Sequence, residues 1–412
     1  MEETEKKISF TLLLRIIIPY SLCYFMSLLL RNVNVVFATP LTQELHISAN
    51  GLGFMTGMCL FFFGIFQIPA GSFISHFGTK KVQMSLFFFA AIGICIFGLS
   101  KSIFGLTVGR ALMGMGTAAS LTGTMYTIHS FIPRKYVPTI SSIVQALGGL
   151  GIIIGTLPIK VLTDKIGWQQ TCYVLGGITF LVTLLICIAP KKRYKEPFPK
   201  LKQFLDYGTI YKNRLFWRFN IPSSIAYGGF IAIQSLWISP WLQGGQHFSQ
   251  SESATYLFVI AVVSIFGMMS IPFFISLSRR KNISLQQMQL AFYSVYLIAL
   301  ILSTFDLFAK KMVIWIVMGL GPQAVYFNYI IAGDVFEHSH YVKGVCLNAM
   351  NIILGASLIQ YLIGFIISFW PRDTQGFYPQ RAYQVAFWFL SLITFIAILW
   401  SYKFKDVKKA KI

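Results

Sequence analysis

Residues 68–81 read IPAGSFISHFGTKK, and residues 271–281 read IPFFISLSRRK. Each stretch carries Ile-Pro, then Phe-Ile-Ser, and ends on basic residues. The first closes the second long apolar segment of the chain, and the other closes the eighth. The same pattern at matching places in two series of segments indicates an internal duplication.

Long apolar segments make up most of the remaining sequence. The 412 residues are 56% hydrophobic and 11% charged, against about 25% charged in an average soluble protein. One soluble domain cannot bury so much apolar surface, whereas about 20 helical residues cross a bilayer core. The sequence therefore predicts an all-α polytopic membrane protein with twelve transmembrane helices. The predicted spans are 11–37, 50–75, 82–100, 103–130, 138–162, 170–190, 216–242, 253–277, 285–303, 311–335, 343–369 and 383–402.

The longest polar connection follows the sixth span and divides the chain near its middle. We predict a six-helix half over 1–190, a basic cytoplasmic linker over 191–215, a second half over 216–402 and a basic tail over 403–412. Of the 34 Lys and Arg residues, 24 lie in segments that are cytoplasmic if the N-terminus is inside. This positive-inside pattern predicts that both termini are cytoplasmic. We expect a bacterial inner (plasma) membrane.

The net charge of +21 is explained by this topology and by anionic lipid headgroups, so the charge does not indicate nucleic acid. The six cysteines and six histidines are dispersed and lack metal-ligand spacing. Phosphate loops and nucleophile triads are missing from the sequence. The sequence therefore predicts no metal, no cofactor and no enzymatic activity, and it argues against an ATP-driven pump.

The first span carries polar residues along one helical face. Tyr20, Tyr24, Ser27, Arg31 and Asn34 are separated by steps of three and four, which is the spacing of a shared face. Since lipid would leave such groups unpaired, we expect them to line a cavity and bind substrate. The alternative is hydrogen bonding between helices.

The second half offers further candidates. Tyr227, Gln234, Trp237 and Trp241 share one face of the seventh span. Two roles are equally supported for this face. It could line the cavity, or it could pack against other helices with its tryptophans at the membrane interface. The candidates for substrate contact in this half are Gln234, Trp237, Gln323, Tyr326 and Asn351.

Two arginines, Arg31 and Arg110, lie inside spans, while all thirteen acidic residues fall at span ends or in connections. A guanidinium at such depth costs free energy and is suited to bidentate contact with a carboxylate or phosphate. The missing partner is therefore predicted to be a substrate anion. For Arg110, bonding to backbone carbonyls of a neighbouring helix is an equal alternative.

Two motifs resemble signatures of the major facilitator superfamily. Residues 71–81 resemble its loop between helices two and three, and residues 110–119 resemble its fourth-helix signature. Leu30 before Arg31 is similar in position to the acid of the superfamily's organic-anion branch, but a leucine cannot carry a proton. Thr156 stands where drug exporters of the superfamily have proline. The residues that carry the gating and structural motifs are Gly71, Ser75 (an acid in the family), Gly78, Lys80, Lys81, Gly114 and Gly116.

The resemblance implies two pseudo-symmetric six-helix halves around a central cavity lined by helices one and seven. The expected function is secondary transport of a small organic anion by alternating access, in the direction of uptake. Arginine cannot release its proton, so coupling would use anion exchange, a protonated substrate, or proton symport through a group such as His129 or Glu44. The alternatives are an exporter of a drug or siderophore-like metabolite and a non-transporting receptor or scaffold.

Overall fold

The computed structural model describes most of the chain. Residues 191–206 of the proposed linker and the proposed tail, 403–412, lie outside the described residues. Within the described part, regular secondary structure is entirely helical. The described residues are 10–133, 135–190, 207–336, 338–373 and 376–402.

The first half contains six helices, some of them in two pieces. They are α1 (Phe10–Asn32, continued by Asn34–Glu44), α2 (Ala49–Phe77), α3 (Thr79–Leu99), α4 (Ile103–Thr117 and Ser120–Phe131), α5 (Val137–Ile154 and Leu157–Ile166) and α6 (Trp168–Leu185, ending in the 3-10 turn Ile186–Ile188).

The second half repeats this series. Its helices are α7 (Arg214–Ala232, then π-helical Ile233–Trp237, α-helical Ile238–Pro240 and π-helical Trp241–Gly245), α8 (Gln250–Lys281), α9 (Leu285–Leu302), α10 (Met312–Leu320, 3-10 Gly321–Tyr326 and Phe327–Val335), α11 (His338–Ile367) and α12 (Gln380–Tyr402). Two short helices, Gly208–Tyr211 and Asp306–Ala309, lie in connections.

Ten helices in the described residues are long and apolar enough to cross a membrane. The two pieces of α5, bent by 44° relative to each other, are an eleventh candidate when counted as one span. The predicted span 103–130 is present as the two pieces of α4, each shorter than a bilayer requires by itself. The helices thus follow the predicted order and agree with a twelve-helix arrangement.

The first and fourth helices of both halves are interrupted. α1 breaks at Val33 and α4 at residues 118–119, whereas α7 passes through two π segments and α10 through a 3-10 segment. Side-chain donors support the break in α4, because Gln83 Nε2 donates to Ala119 O and Ser120 O at 3.0 and 3.1 Å. Such irregular turns are frequent at functional sites, and their matching places support the internal duplication.

The first span is longer than predicted. Its helix continues through Pro40 to Glu44 rather than ending near residue 37. Within this extension, the Thr42 hydroxyl donates to Ala38 O of the same helix at 2.9 Å, so its polar group is satisfied inside the helix. Arg31 therefore lies about 20 Å from the end of the helix, at about 1.5 Å per residue, and much deeper than the sequence alone suggests.

Glycines allow the helices of the first half to touch. A Cβ on Gly114 would meet Cys59 O of α2 at 2.0 Å, and one on Gly116 would meet Ala90 N of α3 at 2.5 Å. Backbone contacts this close are possible only without a side chain. Both glycines of the fourth-helix motif therefore lie at helix–helix contacts.

Replacing Gly114 with alanine is expected to destabilise the protein by about 1–3 kcal/mol, the usual result of overpacking. The added methyl group would meet backbone atoms of α2, which cannot move aside easily. The matched control is Gly177→Ala in α6, where a Cβ has no heavy atom within 4 Å. Thermal unfolding of the two detergent-purified variants measures the difference; equal melting temperatures would contradict the contact.

The two halves touch at one end and separate towards the other. Three glycines on one face of α2 approach α11: a Cβ on Gly53 would lie 2.8 Å from Gln360 O, on Gly57 3.0 Å from Ser357 O and on Gly64 3.2 Å from Leu354 Cδ2. Gly71 continues this face by another heptad step, yet a Cβ there has no neighbour within 4 Å. The gap therefore opens towards the end of α1 that carries the N-terminus, called the inner end below.

The motif between α2 and α3 is used only in part for packing. Gly78 has φ +82° and ends α2, a backbone conformation that favours glycine. Lys80 Nζ donates to the carbonyls of Cys187 and Ala189 at the end of α6. Ser75 donates to Ser72 O of its own helix, and Lys81 is exposed. Gly71 makes no close helix contact in this conformation, since a Cβ there would have no heavy atom within 4 Å.

Candidate functional site

Arg31 lies between the halves at the centre of α1. Its Nε donates to Ser27 O at 3.1 Å, and its Cζ lies 4.1 Å from the ring centroid of Phe63 in α2. Its two terminal nitrogens make no hydrogen bond to the described part of the chain, and the side chain is partly exposed. One face of the guanidinium is thus covered by an aromatic ring, while its N–H edges remain available.

Two tyrosines lie near this guanidinium, and a third adjoins them. Tyr24 of α1 and Tyr227 of α7 lie within electrostatic range of Arg31. The hydroxyls of Tyr227 and Tyr326, from α10, are close enough to share a hydrogen bond. All three side chains are partly exposed although they lie deep between the halves. We call these four residues, with Phe63, the central cluster.

The shape of α5 positions Tyr24. A Cβ on Gly148 would lie 2.0 Å from Tyr24 Cδ1, and one on Gly151 would lie 2.2 Å from Phe25 O. The glycines of α5 therefore let α1 pack closely, with the tyrosine ring lying against the bare backbone at Gly148. These small residues, which lie in the segment before Thr156, serve here to hold a side chain of the cluster.

Arg110 does not border the opening. Its side chain is fully buried, with Nη1 donating to Leu30 O at 3.1 Å and Nη2 bonded to Asn34 Oδ1. Asn34 is itself buried and donates to Thr56 of α2. The ring of Phe97 lies 4.6 Å from Arg110 Cζ. Of the two roles open for Arg110, this geometry favours bonding to a neighbouring helix, and it draws Asn34 into that same network.

Two other members of the α1 stripe contact protein rather than the opening. Tyr20 is 1% exposed and packs beside Ile128 and Ile132, with its hydroxyl bonded to Thr127. Ser27 is fully buried and donates to Thr117 O at 3.5 Å. Of the stripe, only Tyr24 and Arg31 reach the space between the halves.

The α7 candidates lie in its first π segment. Trp237 donates from Nε1 to Gln360 O at 3.1 Å and is packed between the glycines of α2 and α11, so it seals the contact between halves. Gln234 is buried, and its Nε2 has no hydrogen-bond partner within the described residues. An orphaned amide donor is costly, which makes Gln234 the α7 candidate most in need of a ligand.

The remaining candidates in α10 and α11 differ in whether they belong to the central cluster. Tyr326 belongs to the central cluster, whereas Gln323 is buried and donates to Gly319 O of its own helix at 3.1 Å. Asn351 donates to Asn220 Oδ1 at 3.2 Å and accepts from Tyr211, whose pKa is raised by burial. Asn351 thus belongs to a charge-free network of amides between α7 and α11.

The two proposed proton carriers lie far apart in the fold. Glu44 accepts hydrogen bonds from Trp168 Nε1 at 2.8 Å and Gln169 Nε2 at 3.5 Å, which joins the outer ends of α1 and α6. His129 is exposed near the inner end of α4. Since neither contacts Arg31 in this conformation, the geometry gives no support to a relay through either one.

The outer end of the bundle is closed by contacts across the halves. Thr39 donates to Gln243 Oε1 at 3.2 Å, Tyr378 OH accepts from Ala49 N at 3.0 Å, and Arg372 donates to His46 O at 3.3 Å. A cavity of about 350 Å³ remains outside this seal. These contacts lie between the central cluster and the outer side of the bundle.

Sequence reasoning undervalues two residues of the cluster. Tyr227 lies on the predicted α7 stripe but without an assigned role. Phe63 belongs to the run Phe61–Phe63, in which Phe61 is 38% exposed and Phe63 only 6%. Three adjacent phenylalanines carry no sequence signal for which one will stack on an arginine.

Residues 20–331 match the family model described as Major Facilitator Superfamily. The chain belongs to the Major Facilitator Superfamily. This membership agrees with the two interrupted six-helix series and with the motifs of α2 and α4. The family match and the apolar helices identify the protein as an integral membrane protein of this superfamily.

Curated relatives match only part of this chain. The chain is 27% identical over 214 residues to the efflux pump aflT of Aspergillus parasiticus, a match that covers 50% of this chain and 41% of that protein. It is 21% identical over 194 residues to the nitrite extrusion protein of Bacillus subtilis, covering 47% and 48% of the two chains. These matches span less than half the length of the curated relatives.

Solved superfamily structures match over nearly the whole chain. The bacterial homologue of the lysosomal transporter Spinster, inward-facing and unoccupied, superposes with a TM-score of 0.76 at 16% identity, covering 96% of each chain. The nucleoside transporter NupG gives a TM-score of 0.72 at 13% identity, covering 95% of this chain and 100% of that one. At these identities the likeness establishes the fold alone.

Proposed function

We propose that this protein is a secondary transporter that carries a small organic anion, with Arg31 holding the charged group. The observation that carries the proposal is the guanidinium of Arg31, partly exposed between the halves, whose terminal nitrogens have no partner in the described part of the chain. A guanidinium with free N–H edges is suited to a carboxylate. Alternating access would proceed by rocking of the halves 1–190 and 216–402 around this site.

The charge balance bears on coupling. Import of a monoanion against an inside-negative potential costs about 2.3 kcal/mol per 100 mV, so uptake requires exchange for an internal anion or entry together with protons. Since Arg31 cannot release a proton, we propose exchange as the route for uptake. The setting would be a plasma membrane, with both termini in the cytoplasm.

Export is a second candidate, favoured by a separate observation. Relatives of the chain are named an efflux pump and a nitrite extrusion protein. An anion leaving a cell moves down the membrane potential, so its export would not depend on a proton carrier near the site.

Flux measurements in proteoliposomes test the proposal and separate the two directions. The purified full chain is reconstituted, and labelled monocarboxylates are followed with imposed potential, with a pH gradient and with internal unlabelled anion. We expect anion flux that responds to internal anion for exchange, or to the potential alone for export. Flux of neutral or cationic compounds without any anion flux, or no flux at all, would overturn the proposal.

A further inference from the structure

The charge of the central cluster sets the valence of its ligand. Arg31 is the one cation in electrostatic contact with Tyr24 and Tyr227 among the described residues. Arg110 is fully buried, is bonded to Leu30 O and Asn34, and does not border the opening. A second carboxylate on the ligand would therefore be buried without a cation, at a high cost in free energy.

The surfaces around Arg31 are aromatic. Phe63 covers one face of the guanidinium at 4.1 Å, and Tyr24, Tyr227 and Tyr326 come from three different helices. Tyr326 extends the aromatic surface by stacking with Tyr329 at 6.3 Å between ring centroids. Aromatic rings pair favourably in edge-to-face or offset geometry, so a ligand ring gains more here than a saturated one.

Polar atoms of the same cluster are hydroxyls. A phenol hydroxyl donates and accepts hydrogen bonds but carries no charge at neutral pH. The cluster can therefore satisfy a carboxylate at Arg31 and a neutral polar substituent elsewhere on the ligand. Its five residues do not offer a second charged partner of either sign.

On the basis of the proposed anion transport, we infer that the substrate is an aromatic monocarboxylate, bound through its carboxylate to Arg31 and with its ring between Tyr24, Tyr227 and Tyr326. The single cation of the central cluster accounts for the valence, and the three rings account for the preference for an aromatic body. The same arrangement disfavours a polycarboxylate siderophore as cargo.

Isothermal titration of the purified full-length protein tests the substrate class with matched ligands. Comparison of phenylacetate with cyclohexylacetate tests the need for an aromatic ring. Comparison with phenylmalonate tests the effect of a second negative charge, and comparison with 2-phenylethanol tests the effect of removing the first. Benzoate and 1-naphthoate vary the size. Ring pairs contribute about 0.5–1.5 kcal/mol each, so we expect phenylacetate to bind about tenfold more tightly than cyclohexylacetate.

Two substitutions separate the contribution of the Tyr227 ring from that of its hydroxyl. Tyr227→Leu is expected to reduce the preference for phenylacetate over cyclohexylacetate, whereas Tyr227→Phe should keep it. In the unsubstituted protein, phenylmalonate and 2-phenylethanol should bind at least about tenfold more weakly than phenylacetate. Melting temperatures of both variants verify that they are folded.

The outcomes distinguish this inference from the proposed function. Binding of cyclohexylacetate equal to that of phenylacetate, lost in Arg31→Ala, would overturn the aromatic substrate class and leave anion transport standing. Equal binding of phenylmalonate would overturn the single-charge argument. If no monocarboxylate binds in a manner that depends on Arg31, both the inference and the proposed function fail.

Discussion

Arg31→Ala is expected to reduce anion transport strongly while the protein stays folded. The side chain makes one hydrogen bond to the described part of the chain, from Nε to Ser27 O of its own helix, so little of the fold depends on it. A hydrogen-bonded contact with a charged group contributes about 1.5–3 kcal/mol, which corresponds to roughly a 10- to 100-fold loss of affinity. Initial rates of anion flux and the melting temperature are the two measurements.

Arg15→Ala is the matched control for this prediction. Arg15 lies on the same helix but near its inner end, where it is exposed, so its removal should leave both flux and melting temperature unchanged. Arg31→Lys keeps the charge without the bidentate edge and should give an intermediate rate. Anion flux that persists in Arg31→Ala at the wild-type rate would remove Arg31 from the site.

Arg110→Ala should have the opposite profile, with loss of folded protein before any specific loss of transport. The change would leave Leu30 O and Asn34 Oδ1 buried without their donor. It would also open a cavity beside Phe97. Each buried group left unpaired costs about 1–3 kcal/mol, so we expect a destabilisation of about 3–5 kcal/mol. Melting temperature and yield of monodisperse protein in detergent measure it.

Arg110→Lys is the informative companion. Its single ammonium cannot reproduce the planar fork that serves both acceptors, so partial destabilisation is expected. The contrary result would be an Arg110→Ala protein with the wild-type melting temperature and no anion flux. In that case Arg110, and not only Arg31, would belong to the substrate site.

The two arginines show what the sequence can and cannot predict. Their presence in spans without an intramembrane acid is readable from the sequence, as is a deep polar face on α1. Their different surroundings depend on residues that are distant in sequence. Asn34 and Leu30 O accept hydrogen bonds from Arg110, whereas the ring of Phe63 covers Arg31. Helical spacing identifies a shared face, but not which of its members meets another helix.

The fold is predictable at the level of helix order because hydropathy and length define spans. The interruptions are not. Hydropathy continues through Ala118 and through Ile233–Trp237, yet the backbone is irregular at both. The causes are tertiary, such as the amide of Gln83 bonding the carbonyls at the α4 break. For the same reason Trp237 and Gln323, which the sequence places at the cavity, are occupied by neighbouring backbone carbonyls.

The contact of Tyr24 with α5 places the central cluster one residue away from a contact between the two halves. Tyr24 lies on Gly148, and a Cβ on the next residue, Gly149, would meet Ile265 of α8 at 3.2 Å. A ligand ring held against Tyr24 would thus lie next to α5, the helix that contacts the opposite half. A ligand shifts a two-state population only by the ratio of its affinities for the states. We therefore expect side-chain volume at residues 148 and 149 to change the ratio of the two conformational states as well as the strength of binding.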